Sequence, residues 1–194
     1  MALGKRVRLN NGLRKLKMAD IDPSKEGGYG DIYEVALLTA MSAETAEGDI
    51  SLAAGNTIMF SAKNIGKTSG SVSFYGMSDE VEAKIFDVRE GKNGGKVYGT
   101  KANRGAKALI IEATVVNPDT GEEEDAHIIF PKVSLGVISD EGTTKDADGN
   151  ATINTKSLSF TALPLNNSFN TYKYINVGET PETLTMEMFE VKGA

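Results

Sequence analysis

Residues 69–75 read Ser-Gly-Ser-Val-Ser-Phe-Tyr, and this stretch alternates polar and apolar side chains. Val72 and Phe74 share one face of an extended chain, while the neighbouring serines share the other face. A period of two is typical of an antiparallel strand that buries one face and exposes the other. The stretch therefore predicts a half-buried β-strand.

Similar strand patterns lie on both sides of this stretch. Upstream, residues 33–42 are rich in Val, Leu and Thr, and residues 49–53 and 57–62 flank the turn pair Gly55-Asn56. Downstream strands are predicted at about 109–115, 125–133 and 157–162, with the turn sequence Asn-Pro-Asp-Thr-Gly at 117–121. Evenly spaced strands predict a mainly β fold, a β-sandwich or barrel of antiparallel strands. Several strands are apolar on both faces, so we expect part of the sheet to pack against other subunits.

One flanking α-helix is predicted at about 78–90. Ser78 is a suitable N-cap, acidic side chains follow in the first turn, and Gly91 ends the helical spacing. The C-terminal residues 184–191 fit either a strand or a helix.

Charge divides the chain into a basic start and an acidic remainder. The first 17 residues contain six basic side chains and no acid, although the net charge of the 194 residues is -6. The basic side chains are Lys5, Arg6, Arg8, Arg14, Lys15 and Lys17. We predict a basic N-terminal arm with a Gly-rich linker over residues 1–30, and a single β domain over 31–194. The arm is either a solvated terminus or a segment that docks on the acidic surface of a neighbouring copy.

The composition leaves little room for catalysis. The chain has no Cys and one His, which excludes thiol nucleophiles, disulfides and zinc fingers. Its acidic balance disfavours a reader of nucleic-acid phosphates. No apolar run is long enough for a signal peptide or a membrane span, so we expect a protein made in the cytoplasm without membrane contact.

Four motifs resemble functional sites, and the structural interpretation is favoured for each. Residues 65–68, Ile-Gly-Lys-Thr, resemble the end of a P-loop but lack its first glycine, so a hairpin connection is predicted. Residues 146–150 resemble the start of a calcium loop but lack its later glycine and glutamate. His127 is predicted to be structural, and the acidic run 122–125 is either a solvated loop or a patch for a basic partner. We therefore predict no enzyme activity, no cofactor and no metal.

The order of elements in the middle of the chain resembles a known family. The resemblance rests on Leu-Ala-Ala-Gly-Asn at 52–56, Gly-Ser-Val-Ser-Phe-Tyr-Gly-Met at 70–77, Gly-Ala-Lys-Ala-Leu-Ile-Ile-Glu-Ala at 105–113, Ile-Ile-Phe-Pro-Lys-Val at 128–133 and Leu-Ser-Phe-Thr-Ala at 158–162. Over roughly residues 33–165 it is similar to the major tail protein, or tail tube protein, of long non-contractile-tailed phages of Gram-positive bacteria.

The resemblance implies a structural virion protein. Such proteins form hexameric rings whose inner strands join into one continuous barrel, and the rings stack into a tail tube that conducts DNA during ejection. It implies as partners other copies of the chain and the tape measure, tail terminator and distal tail proteins, with assembly in the host cytoplasm. DNA would pass without specific binding, and we expect an acidic lumen because an acidic wall repels phosphates.

By analogy with the family, two segments are predicted to make ring contacts. One is the basic arm described above. The other is the hairpin around residues 49–62, represented by Asp49, Leu52, Asn56, Ile58 and Phe60.

Two classes of alternative stay open. The first is a related ring or tube protein, such as a tailocin tube, a secretion-system tube or a tail terminator. The second is a carbohydrate-binding β-sandwich, although the chain has no Trp and few other aromatic residues for sugar platforms.

Overall fold

The computed structural model describes residues 9–54, 57–86, 88–99, 105–140 and 154–191. Within these ranges, the side chains of residues 9–11 and 48–65 are outside the description. The predictions for residues 1–8, 55–56 and 146–150 therefore lie outside the described residues.

Strands dominate the described chain, and one short α-helix interrupts them. The elements are β1 (Leu9–Asp20), β2 (Tyr33–Ala54), β3 (Thr57–Phe74), α1 (Asp79–Ile85), β4 (Val88–Glu90), β5 (Lys96–Tyr98), β6 (Lys107–Val116), β7 (Glu123–Asp140), β8 (Lys156–Ala162) and β9 (Tyr174–Val177). Every strand pair is antiparallel. The predicted fold class, mainly β with one flanking helix, is confirmed.

Six of the strands close into a barrel. Their order is β6-β1-β2-β3-β8-β7, and β6 pairs with β7 to complete the circle. The short strand β9 adds to β7 on the side away from β6. Closure satisfies backbone groups that an open sheet would leave at its edges.

The barrel interior is the main hydrophobic core. Leu16 on β1, Phe74 on β3, Leu109 on β6 and Leu158 on β8 are fully buried in it. The rings of Phe130 and Phe160 meet in this core with centroids 5.0 Å apart. Alternation along each strand thus sends one face inward, as the pattern at 69–75 predicts.

A second core lies on the outer side of the barrel. Ala108 and Ile110 on β6 and Ile129 on β7 are fully buried there, beneath Leu184 and Phe189 of the C-terminal segment. The expectation that doubly apolar strands pack against other subunits is therefore wrong for β6, because the chain covers that face itself. The C-terminal segment contains neither a strand nor an α-helix over 184–191 but a 3₁₀ helix, Met186–Phe189.

The helix begins as predicted and ends earlier. The hydroxyl of Ser78 accepts a hydrogen bond from the Val81 amide at 3.3 Å, as an N-cap does. The helix stops at Ile85, and Phe86 is already extended. Residues 88–90, predicted to be helical, form β4 and pair with β5 instead. Ile85 and Phe86 are buried in the barrel core, so packing fixes the point at which the chain turns away.

Part of the segment predicted as a basic N-terminal arm belongs to the barrel. From Leu9 to Asp20 the chain is a strand of the barrel, bonded to β2 on one side and to β6 on the other. Leu16 and Met18 point into the core and are fully buried. The basic residues Arg14, Lys15 and Lys17 around them dominate the local composition and hide this short apolar alternation in the sequence.

Candidate functional site

The longest strand pairing among the described residues is the hairpin of β2 and β3. Its register runs from Leu38 opposite Phe74 to Ala54 opposite Thr57. The hairpin predicted from the sequence therefore exists, and its strands reach far past the predicted 49–62.

The outer part of this hairpin projects from the barrel. β1 pairs with β2 only as far as Leu37, and β8 pairs with β3 only from Thr68 onward. Within the described chain, the only strand pairing of residues 47–54 and 57–65 is with each other. Eight residues of strand extend about 25 Å. Four predicted contact residues, Asp49, Leu52, Ile58 and Phe60, have their backbones in this projecting part.

Next to the hairpin lies a four-stranded sheet with two free edges. Its strands are β2, β3, β8 and β7, in that order. Residues 38–45 of β2 lie beyond the reach of β1, and residues 134–140 of β7 lie beyond the last β6 pair at Val133. Within the part of the chain that the structure describes, no further strand pairs with either of these outer edges. Because neighbours alternate in direction, β2 and β7 run in opposite directions.

The β7 edge carries an exposed aliphatic side chain, since Val137 is 70% exposed. Leu37, the last residue of β2 that pairs with β1, is 60% exposed directly beside the β2 edge. Unpaired strand edges with apolar side chains are templates for pairing with another chain. This sheet therefore has the features of an interface with another chain rather than of a surface that stays exposed to solvent.

The sheet has one apolar face and one face of hydroxyls. Val72 and Leu158, opposite each other on β3 and β8, point into the barrel core. On the other face, the side chains in register across the four strands are nearly all small and hydroxylated. They are Ser42, Ser69, Ser71, Ser73, Ser134, Ser139, Ser157, Ser159 and Thr161, which we call the hydroxyl face.

Across the rows of the nine residues just named, the hydroxyl face holds one carboxylate and no cation. Glu44 lies opposite Ser69 and is exposed. By alternation along the strands, Lys67 on β3 and Lys132 on β7 lie one row further toward the hairpin. The Ser42 and Ser71 hydroxyl oxygens are 3.1 Å apart, so neighbouring strands hydrogen-bond across the face.

The predicted basic residues of β1 lie elsewhere, on the barrel wall. Arg14 pairs with Asp125, Lys15 Nζ lies 2.7 Å from a Glu34 carboxylate oxygen, and Lys17 Nζ lies 2.5 Å from one of Glu112. These three cations therefore pair with acids of their own chain. One member of the acidic run 122–125 has its basic partner within the same molecule.

A buried carboxylate ties the helix to two other elements. Glu82 on α1 is 1% exposed, and it accepts hydrogen bonds from Lys96 Nζ at 2.5 Å and from the Tyr98 hydroxyl at 2.7 Å. Lys156 Nζ at the start of β8 lies 3.7 Å away. Burial acts to raise the pKa of Glu82, but the hydrogen bonds and the two ammonium groups outweigh it and lower the pKa below its ordinary value. The cluster fastens the β4–β5 hairpin and β8 to α1.

Two of the motifs that resembled chemical sites, residues 65–68 and His127, lie in structural positions. Residues 65–68 are part of β3, so the predicted hairpin connection there is wrong and no helix follows Lys67 to bind phosphate. His127 is buried on β7, with Nδ1 3.3 Å from the Gly178 carbonyl oxygen and its ring stacked on Tyr174. The described residues contain no group of three or more His, Asp or Glu side chains placed to hold a metal ion.

No helix within the described ranges is long and apolar enough to cross a membrane.

Comparisons with known proteins find weak structural similarity alone. No family model matches the sequence, and no curated protein matches it. A chain of the anti-feeding prophage cap, the AFP tube terminating cap, is 12% identical with a TM-score of 0.44, covering 92% of this chain and 97% of that one. A chain of the sheath-tube complex of an extracellular contractile injection system, PVC, in its extended state, is 10% identical with a TM-score of 0.42, covering 84% of this chain and 89% of that one. Similarity at this level assigns neither a family nor a function.

Proposed function

We propose that this protein is a structural subunit that joins head to tail into rings, and that the rings stack into the tube of a phage tail. The observation that carries the proposal is the four-stranded sheet with a free edge at each end. In this assembly the protein performs no chemistry, and its partners are other copies of itself and the proteins at the ends of the tube.

The two free edges suit each other in direction. In a ring all copies point the same way along the axis, so β7 of one copy lies beside β2 of the next. These strands run in opposite directions, and the contact therefore continues the antiparallel pairing found throughout the sheet. A contact between two different surfaces that closes on itself produces a ring. Closure pairs both edges and removes the hazard of open-ended aggregation.

The projecting hairpin supplies a contact along the tube axis. A segment that extends about 25 Å past the barrel reaches beyond its own ring into the next. Deep overlap of this kind joins stacked rings more firmly than a flat contact. The basic residues Lys5, Arg6 and Arg8 are a second proposed contact between rings, because the rest of the chain is acidic.

The conduit role follows from the proposed tube. A hollow tube built from rings leads from one end of the tail to the other, and DNA passes through it during ejection. The protein would then be located in the virion tail after assembly in the bacterial cytoplasm.

Negative-stain electron microscopy across a concentration series tests the proposal, with matched edge variants. Val137→Lys places a charge on the free β7 edge, where the side chain is already exposed, so the fold should be kept. Val97→Lys is the control, since Val97 is 56% exposed on β5 and lies outside the four-stranded sheet. We expect rings and tubes from the wild type and from Val97→Lys, and folded monomers from Val137→Lys.

Other outcomes have definite meanings. Single rings that never elongate would favour the tail-terminator alternative. Monomers from the wild type at every concentration, also when end proteins of the tail are added, would reject the proposal.

A further inference from the structure

We propose that the hydroxyl face is the inner wall of the tube, and that it presents an almost uncharged, hydrogen-bonding surface to the polyanion that passes along it. This inference rests on the proposed function and specifies the chemistry of its conduit. It differs from the expectation of an acidic lumen given by the sequence analysis.

The position of the remaining elements determines which face points inward. The barrel core, with β1, β6, and the Ile85 and Phe86 side chains at the end of α1, lies on the apolar side of the sheet. The C-terminal segment lies further out, on the outer side of β6 and β7. When copies of the sheet join into a cylinder, this bulk fits only outside, where the circumference grows with the radius. The hydroxyl face then lines the lumen.

The composition of the hydroxyl face is that expected of a lumen. It differs from that of a contact between copies and from that of the outer surface of a soluble assembly. Apart from Val137 at its β7 edge, it lacks the large apolar side chains that a contact between copies would bury. Its one charged side chain is that of Glu44, with Lys67 and Lys132 one row beyond, whereas 25% of the whole chain is charged. Nine hydroxyls and one carboxylate, from Glu44, give a smooth wetted surface.

Such a wall affects a polyanion in a defined way. Cationic side chains hold DNA by releasing its counterions, which makes binding strong and dependent on salt. Hydroxyls exchange hydrogen bonds with water at little net cost, so the wall provides neither a strong hold nor a strong repulsion. The polyanion is then kept from the wall by its own hydration, and it slides.

Single cysteines can locate the face, because the chain contains no Cys of its own. Ser69→Cys and Ser159→Cys place a thiol at exposed positions of the hydroxyl face. Thr183→Cys is the control, at an exposed position on the C-terminal segment across the barrel. Each variant is assembled into tubes and treated with a small maleimide or with a maleimide on a long polyethylene glycol chain.

The expected result is a loss of labelling by the large reagent at positions 69 and 159 in tubes, with labelling by the small reagent kept. In monomers both reagents should react at all three positions, and in tubes both should react at position 183.

Labelling of 69 and 159 in tubes by the large reagent would place the face outside. Protection from both reagents, or failure of both face variants to assemble while Thr183→Cys assembles, would place it between copies. Each of these results overturns the inference and leaves the tube itself intact. If no tube forms with the wild type, the proposed function fails first.

A second measurement tests the charge of the wall. The labelling rates of Ser159→Cys with a cationic and an anionic small thiol reagent are compared between tubes and monomers. We expect their ratio to change by less than about twofold, whereas an acidic lumen would raise it about tenfold or more by concentrating the cation. A tenfold rise would overturn the uncharged wall.

Discussion

The ring of Phe160 on β8 occupies the space that a side chain at Gly70 on β3 would need. A Cβ atom at position 70 would lie 2.7 Å from the Phe160 Cζ atom and 2.3 Å from the backbone oxygen of Ser42. The absence of a side chain lets the aromatic ring lie against the strand and close the core beneath the hydroxyl face. The glycine in the middle of this strand is therefore a packing requirement of the sheet that we propose as the interface.

We expect Gly70→Ala to lower the free energy of unfolding by about 2 kcal/mol, because the backbone oxygen of Ser42 cannot move without breaking the hairpin. Gly76→Ala is the control, since no atom lies within 4 Å of a Cβ built at that position. Chemical denaturation of both variants gives the measurement. Equal stabilities would show that the strands separate to admit a methyl group.

Glu82 should make the stability of the monomer depend on pH. Its pKa in the folded state lies below the ordinary value of 4.5. Its contribution is therefore complete above the pKa of the unfolded chain and is lost as the pH falls through the lower folded pKa. We expect Glu82→Gln to cost about 2 kcal/mol at neutral pH, through weaker hydrogen bonds to Lys96 and Tyr98.

Thermal melting from neutral pH to below pH 4.5 measures this dependence. The difference between wild type and Glu82→Gln should shrink at the acidic end. Glu80→Gln, an exposed change on the same helix, should track the wild type throughout. If the melting temperatures of the wild type and Glu82→Gln differ by the same amount at every pH, the substitution destabilises the protein through packing rather than through loss of charge.

Lys107 and Asp20 form an ion pair, and we expect the loss of Asp20 to destabilise the protein more than the replacement of Lys107. The side chain of Lys107 is 6% exposed and that of Asp20 is 44% exposed. Asp20→Ala leaves a buried cation without a partner, and we expect it to cost about 2 kcal/mol. Lys107→Met replaces the cation by an apolar chain of similar length and should be neutral or stabilising. Denaturant midpoints of the two single variants decide the order, and a larger loss for Lys107→Met would reverse this interpretation.

Deletion of residues 1–8 should separate assembly from folding. β1 starts at Leu9, so the shortened chain retains the whole barrel and should melt with the wild type. It loses Lys5, Arg6 and Arg8, and we expect tubes to be fewer or shorter in electron micrographs. Deletion of residues 1–17 should instead unfold the protein, because it removes most of a central strand. Unchanged tubes after the shorter deletion would exclude the segment from ring contacts.

Local patterns predicted most of the strands correctly. The alternation around Val72 and Phe74, the turn at 117–121 and the Ser78 cap each depend on neighbours in sequence. At the turn, for example, the Asn117 carbonyl oxygen accepts a hydrogen bond from the Gly121 amide at 2.7 Å, and the φ of Gly121 is positive. Such features require no knowledge of the rest of the chain.

Other elements could not be found in this way. β9 is only four residues long, and it exists because it pairs with residues 126–129 of β7. β1 carries Arg14, Lys15 and Lys17, whose charges are neutralised by acids brought from elsewhere along the chain. For both strands the stabilising partner is distant in sequence, so composition alone points to a loop or an arm.

The candidate site was also predicted only in part from the sequence. The sequence indicated the hairpin and the serines that alternate along two separate strands. It gave no sign that these serines share one face, or that both edges of that sheet end without a partner.

What the sequence by itself determined is the strand character and buried face of β2, β3, β6, β7 and β8, the N-cap of the helix and the absence of thiol chemistry, because each depends on residues a few positions apart. The tertiary structure alone decided that six strands close into a barrel, that the C-terminal segment covers β6, and that β2 and β7 are left as free edges. Those outcomes depend on pairings between residues far apart in the chain, where register and packing select one partner among many strands of similar propensity.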